Sequence, residues 1–197
     1  SLTVFFAKYR HRFTEIIDGN VDPSDPMQRP HIRFDGTHLT ENTEKWSHAQ
    51  NDALAYFLWL SCQLIIREDL TLNDVDWALL AQLVRFWQVI EVWQDEDSGH
   101  WEEVRKVAAS SIGCAVAGLS LLRELMQQSA VIRQLGCASH PISITDVDDL
   151  LVKCRNALRK ILPAECIQSD PLQNRRYDAA LLFLIYPLNV LNDRALE

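Results

Sequence analysis

At 197 residues the chain is long enough to bury a sizeable core and has the length of one domain. Hydrophobic residues make up 48% and charged residues 23%, which places it among globular chains and excludes an intrinsically disordered one. A formal net charge of -8 disfavours nucleic acid and anionic membrane surfaces as partners and suits a neutral or cationic ligand.

Ser1-Leu2-Thr3-Val4 carries neither an initiator methionine nor the basic start of a signal peptide, so the chain is expected to begin within a longer protein. Val4, Phe5, Phe13, Ile16 and Ile17 mark an amphipathic helix over about Leu2 to Ile17, with Asp18-Gly19-Asn20 as its stop. From Val21 to Lys45, Pro23, Pro26, Pro30 and Gly36 stand among polar residues and predict a long loop, a length that is usually functional or disordered. A second helix, about Ser47 to Ile66, is apolar nearly all round, so neighbours are expected on every side. The third, about Asp74 to Trp93, has Asn73 as its cap and Asp76 at the third position.

Beyond a polar turn, a fourth helix spans about Ala108 to Met126. Its small residues Ser110, Ser111, Gly113, Ala115, Ala117 and Gly118 allow close helix approach. Thr145 with Asp148 predicts the cap of a fifth helix that runs to about Leu162 and stops at Pro163. A sixth, about Tyr177 to Ile185, is again apolar all round and ends before Pro187. No segment alternates with period two for long, and the fold class is all-α.

Helices apolar all round alternate with more amphipathic ones, which describes an inner and an outer layer. No fixed repeat period marks a solenoid, so an α/α barrel is favoured, with the polar loops before its inner helices gathered at one mouth. Cys62, Cys114, Cys137, Cys154 and Cys166 are odd in number, widely spaced and mostly set in apolar helical patterns; they read as reduced residues and point to the cytoplasm. The longest apolar run is broken by Gln63 and Arg67, short of the roughly 18 to 20 residues of a membrane span.

The turn Asp97-Ser98-Gly99-His100-Trp101-Glu102-Glu103 carries the chemistry. A carboxylic acid to protonate a leaving oxygen and a flat aromatic face for a sugar ring are what glycoside cleavage needs, and Trp101 with Glu102 supplies both. The competing reading makes Trp101 a packing residue and the two glutamates favourable charges at the start of the next helix. His100 reads either as a donor to sugar hydroxyls or as an exposed loop histidine. His48 reads as a ligand contact or as a structural cap.

Ser110-Ser111 lacks a G-x-S-x-G elbow, and no glycine-rich phosphate loop occurs. Asp146, Asp148 and Asp149 lack the calcium-loop pattern, and no CxxC or close Cys/His set is present, so neither a metal nor a cofactor is implied.

Four segments in order, Trp46-Ser47-His48-Ala49-Gln50-Asn51-Asp52-Ala53, Asp97 to Glu102, Ala109-Ser110-Ser111-Ile112-Gly113 and Tyr177-Asp178-Ala179-Ala180-Leu181-Leu182, resemble glycoside hydrolase family 15, the glucoamylase family. They resemble more closely the family-15-like domain of the α and β regulatory subunits of phosphorylase kinase. The resemblance covers roughly Trp46 to Pro187; W-x-H-x-Q-x-D-A and G-x-W-E are its specific elements.

The resemblance implies a six-hairpin α/α barrel with a pocket for the end of an α-glucan, and inverting chemistry by two glutamates. By position, Glu102 matches the general acid and Glu103 the second glutamate of the W-E-E motif, in the sugar-binding subsite. Trp46, His48, Gln50 and Asp52 match the pocket-lining motif, and Trp101 the indole beside the acid. The tryptophan-arginine-aspartate segment that grips the terminal sugar is expected before Ser1, and the base after Glu197. The chain supplies fewer helices than a full ring. It is therefore expected to be the middle of a barrel domain: helix over 1–20, loop over 21–45, inner and outer pairs over 46–192. Three functions follow: an α-glucan hydrolase, a non-catalytic glucan- or protein-binding relative, and a purely structural helical subunit.

Overall fold

A computed structural model describes residues 2–191; the expected helix pairs extended to residue 192, which lies outside the described residues. The fold is all-α, part of an α/α barrel. Its helices are α1 (Leu2–Lys8), α2 (His11–Ile17), α3 (Asn51–Ile66), α4 (Asp74–Val89), α5 (Ala109–Leu125), α6 (Ser129–Gly136), α7 (Ile144–Ile161) and α8 (Leu182–Ile185). α5 is central, with α3 along one side and α7 along the other, while α4 packs on α1, α2 and α6.

The first predicted helix is two. The chain breaks at Tyr9 and Arg10, where the Lys8 ammonium donates to the Leu39 carbonyl and the Tyr9 hydroxyl accepts from the Glu41 N–H. The break lets Phe6 meet Phe57 of α3 at 4.8 Å while Phe13 meets Phe86 of α4 edge-on at 5.5 Å. Two-residue strands β1 (Phe34–Asp35) and β2 (Thr40–Glu41) pair antiparallel inside the 21–45 loop. That loop is anchored at two points. Arg12 holds Glu41 through two hydrogen bonds, and Arg29, 2% exposed, grips Asp95 with both guanidinium nitrogens at 2.6 and 2.7 Å.

α3 starts at Asn51 rather than Ser47 and is not covered on every side, for Tyr56 and Trp59 are half-buried and Leu60 is exposed. α4 keeps its predicted cap: the Asn73 carboxamide accepts from Val75 and Asp76, and Asp76 returns the bond. It ends at Val89, earlier than Trp93.

The small residues of α5 serve close packing. A Cβ on Gly113 would stand 2.9 Å from Leu184 Cδ1 and closer still to Cδ2, and one on Gly118 would press on Leu58 and the Ala55 carbonyl. The cap of α7 is Ser143 with Asp146, not Thr145 with Asp148; Arg85 reaches across at 2.6 Å to fix the Asp146 carboxylate. The sixth predicted helix shrinks to a 3-10 turn, Ala179–Leu181, followed by the single turn α8. Leu182, Phe183, Ile185 and Tyr186 are exposed there, and the Phe183 ring meets Tyr56 of α3, so an apolar shelf runs from Trp59 through Tyr56 to α8.

Four of the cysteines are buried; Cys137, at the end of α6, is exposed. Among the described residues no single helix is long and apolar enough to cross a membrane.

Candidate active site

Two stretches that precede inner helices are sewn together. The Ser98 N–H donates to the Ala49 carbonyl at 2.8 Å, the Asn51 N–H to the Asp97 carboxylate at 2.9 Å, and the Ser47 and Ser98 hydroxyls share a bond of 2.5 Å. Asn51 also gives its side-chain N–H to Asp95 at 2.8 Å, joining this seam to the Arg29 anchor. Between Asp97 and Lys106, which exchange both backbone hydrogen bonds, the chain loops out. Gly99 and Glu102 are left-handed there, φ +57° and +55°. For a residue with a Cβ that conformation costs about 1–2 kcal/mol and persists where its surroundings hold it.

No helix begins directly after Glu103; α5 starts at Ala109. The N-terminus of α5 is instead capped by Glu165. Its carboxylate accepts from the Ser110 hydroxyl at 2.6 Å and the Ser110 N–H at 3.1 Å, and its carbonyl takes the Ala109 N–H. Burial raises the Glu165 pKa against those donors.

Glu102 is exposed at the wall of a cleft of about 420 Å³ that it shares with Trp46, Pro26, Lys45 and Ser47. The indole beside the acid in this cleft is therefore that of Trp46, whose ring carries the Arg33 guanidinium at 4.0 Å. Trp101 does not line it. Half exposed, Trp101 donates its indole N–H to the Asp178 carboxylate at 2.7 Å. Burial works against the Asp178 charge, but the Ala180 N–H, the Trp101 indole and Arg175 outweigh it and hold its pKa low.

Glu103 stands in a salt bridge with Arg175 at 2.6 Å and with Lys106 at 3.2 Å, and the Arg175 bond leads the causes that lower its pKa. It serves as a strut of the loop.

The remaining motif residues are turned inward. His48, 1% exposed, stacks on His31 at 3.7 Å, and burial pushes its pKa down to about 4, so it stands neutral. Gln50, 6% exposed, gives its amide N–H to the Ser47 carbonyl. Asp52, 4% exposed, lies under the turn with its carboxylate 3.3 Å from His100. Burial raises the pKa of both Asp52 and fully buried Asp97, and the Asp52 carboxylate further discourages charge on Asp97. His48, Gln50 and Asp52 are all turned away from solvent, and none of them lines the cleft that Trp46 shares with Glu102.

His100 is not an exposed loop residue. Its side chain is packed between Tyr56, at 5.7 Å edge-on, and Phe183, at 5.1 Å face-on.

Sequence reasoning missed the Glu165 cap, the Arg29–Asp95 anchor and the Arg175 strut, whose partners lie 55, 66 and 72 positions apart or at comparable remove from any local signal. Cleft-lining Pro26 was read only as a marker of the 21–45 loop, whereas Lys45 belongs to a polar stretch before an inner helix, where a cleft was expected.

A family model described as glycosyl hydrolases family 15 matches residues 7–154, a span that holds the Trp46–Asp52 and Asp97–Glu103 stretches and ends before Asp178. No curated protein and no solved structure matches the chain. With helix layers of the right kind and both specific motif segments meeting at one cleft inside the matched span, the chain belongs to family 15 of the glycosyl hydrolases.

Proposed function

We propose that the chain carries the acid side of a glucan-hydrolysing site of the exo-acting, inverting, glucoamylase type, with Glu102 as general acid and the ends of α-glucans or oligosaccharides as substrate. The observation that carries the reading is the placement of Glu102 beside Trp46 in one cleft. A carboxylic acid there protonates the leaving glycosidic oxygen while the indole takes the apolar face of a sugar ring. The Ser47 hydroxyl and the Lys45 ammonium add hydrogen-bond donors for sugar hydroxyls.

Inversion also needs a second carboxylate about 6.5–9.5 Å from the first, to activate water on the opposite face of the ring. Among the described residues, Glu102 is the one carboxylate lining the cleft. That observation favours a second reading: a non-catalytic glucan- or protein-binding domain in the manner of the phosphorylase kinase regulatory subunits. The cleft then binds without cutting, and the apolar shelf between Trp59 and α8 takes a protein partner or further barrel helices.

The test is glucose release from maltose and maltooligosaccharides by the full-length protein and its Glu102→Gln variant, with the product anomer followed by NMR. Release of β-glucose is expected, falling by about 10²–10⁴-fold in the variant, the usual contribution of a positioned general acid. Oligosaccharide binding without release in either protein selects the second reading. Neither binding nor release leaves the motif residues a structural role alone.

A further inference from the structure

The histidine two positions before Glu102 is built into the protein on every side. Its Nε2 is 3.3 Å from the Tyr56 hydroxyl and 3.9 Å from Cys114 Sγ, and its Nδ1 is 3.3 Å from the Asp52 carboxylate. The ring lies flat against Phe183, 11° from parallel, and its side chain is 9% exposed, which leaves no edge for a sugar. Burial favours the neutral ring over imidazolium, against the pull of Asp52 and Asp178 and with that of Lys106. Tyr56 keeps its proton, because burial raises its pKa. Nε2 accepts from the tyrosine, while Nδ1, buried and without a hydrogen bond among the described residues, faces the Asp52 carboxylate 3.3 Å away.

Tyr56 and Asp52 both belong to α3, the helix that follows Trp46. The Ser47–Ser98, Ala49–Ser98 and Asn51–Asp97 bonds join the two stretches at Asp97 and Ser98; His100 adds a side-chain tie from α3 to the part of the turn nearest Glu102. Glu102 itself is left-handed, a conformation that holds only where the flanking residues are fixed. Trp101 is fixed by Asp178 and Glu103 by Arg175 and Lys106, but neither of those ties reaches α3.

We propose that His100, held by Asp52, Tyr56 and Phe183, is a positioning residue that sets Glu102 at its working distance from the Trp46 wall. The inference rests on the reading of Glu102 as the acid. It assigns Asp52, a pocket residue by motif, to the same supporting role.

Two donors separate this role from a merely structural one. Maltose needs its leaving oxygen protonated, whereas α-glucosyl fluoride loses fluoride with little help from an acid. His100→Phe keeps a ring against Phe183 and removes both nitrogens. In the full-length protein it is expected to lower kcat on maltose about 10²-fold, the usual effect of a misplaced catalytic group, with KM within about twofold. Hydrolysis of α-glucosyl fluoride is expected to fall by no more than about threefold, since little proton transfer is at stake. Asp52→Asn, which keeps the side-chain shape beside Nδ1 and removes the carboxyl, is expected to lose about tenfold on maltose in the same pattern and decides the matter if His100→Phe does not fold.

Equal losses on both donors, or unchanged maltose hydrolysis, overturn the positioning role while leaving Glu102 as the acid. A wild-type protein that cleaves neither donor overturns the hydrolase reading, and this inference with it.

Discussion

Buried carboxylates make the protein sensitive to pH in a definite direction. Asp97 is fully buried and accepts the Asn51 N–H at the start of α3, yet burial and neighbouring Asp52 raise its pKa above the value it has in the unfolded chain. A carboxyl whose folded pKa is raised binds its proton more tightly in the native state, so it favours folding at low pH and opposes it once pH rises past the unfolded value. Asp97→Asn keeps a carbonyl oxygen for Asn51 and removes the charge. Urea unfolding is expected to find the variant matched to the wild type near pH 4 and more stable by at least about 1 kcal/mol at pH 8–9, the worth of less than one pKa unit. His48 acts oppositely: with its pKa pushed down to about 4, it withdraws stability as pH falls from its unfolded value toward that range.

How legible an element was in the sequence depended on how local its cause is. The Asn73 cap was readable because donor and acceptor lie within three residues. The cap of α7 was misplaced because Ser143–Asp146 and Thr145–Asp148 offer the same chemistry; Arg85, 61 positions from Asp146, chooses between them. Tyr177 to Ile185 has the composition of a buried helix, but Asp178 is engaged by Trp101 and Arg175, so the helical turns start only after it. At the site, Trp46 and Glu102 were legible only as members of two separate motifs, and the indole paired with the acid was read as Trp101; that Trp46 takes this place, and that His48 is buried on His31 of the 21–45 loop, no spacing encodes.

The close contact between Gly113 and Leu184 tests the packing of α8 on α5. Gly113→Ala brings a methyl against the Leu184 side chain, which is fully buried and has to leave its place. Thermal unfolding is expected to show a loss of about 1–3 kcal/mol, the usual cost of overpacking. An unchanged Tm would mean that α8 yields without loss.

For the molecule as a whole, the 21–45 loop behaves as a structural member rather than a tether. Arg29 is buried with its charge matched by Asp95, and Asp95 in turn holds Asn51 at the head of α3. Removing one partner of such a pair leaves a buried charge unmatched and costs about 3–5 kcal/mol. Arg29→Ala is accordingly expected to lower stability by that order. Limited proteolysis should then cut the 21–45 stretch much faster than in the wild type; equal cutting would show that the Arg12–Glu41 tie suffices alone.

The bond between Trp101 and Asp178 joins positions 77 residues apart. At about 5–20 residues added per second during synthesis, Asp178 leaves the ribosome roughly 4–15 s after Trp101. Through that interval the nascent chain already holds α3, α4 and the turn with Glu102, but Trp101 has no carboxylate to receive its N–H. The turn that carries Glu102 thus gains its last tie only after α1 to α7 have been made, and a translation pause ahead of Asp178 would yield chains that hold those helices but leave Trp101 unanchored.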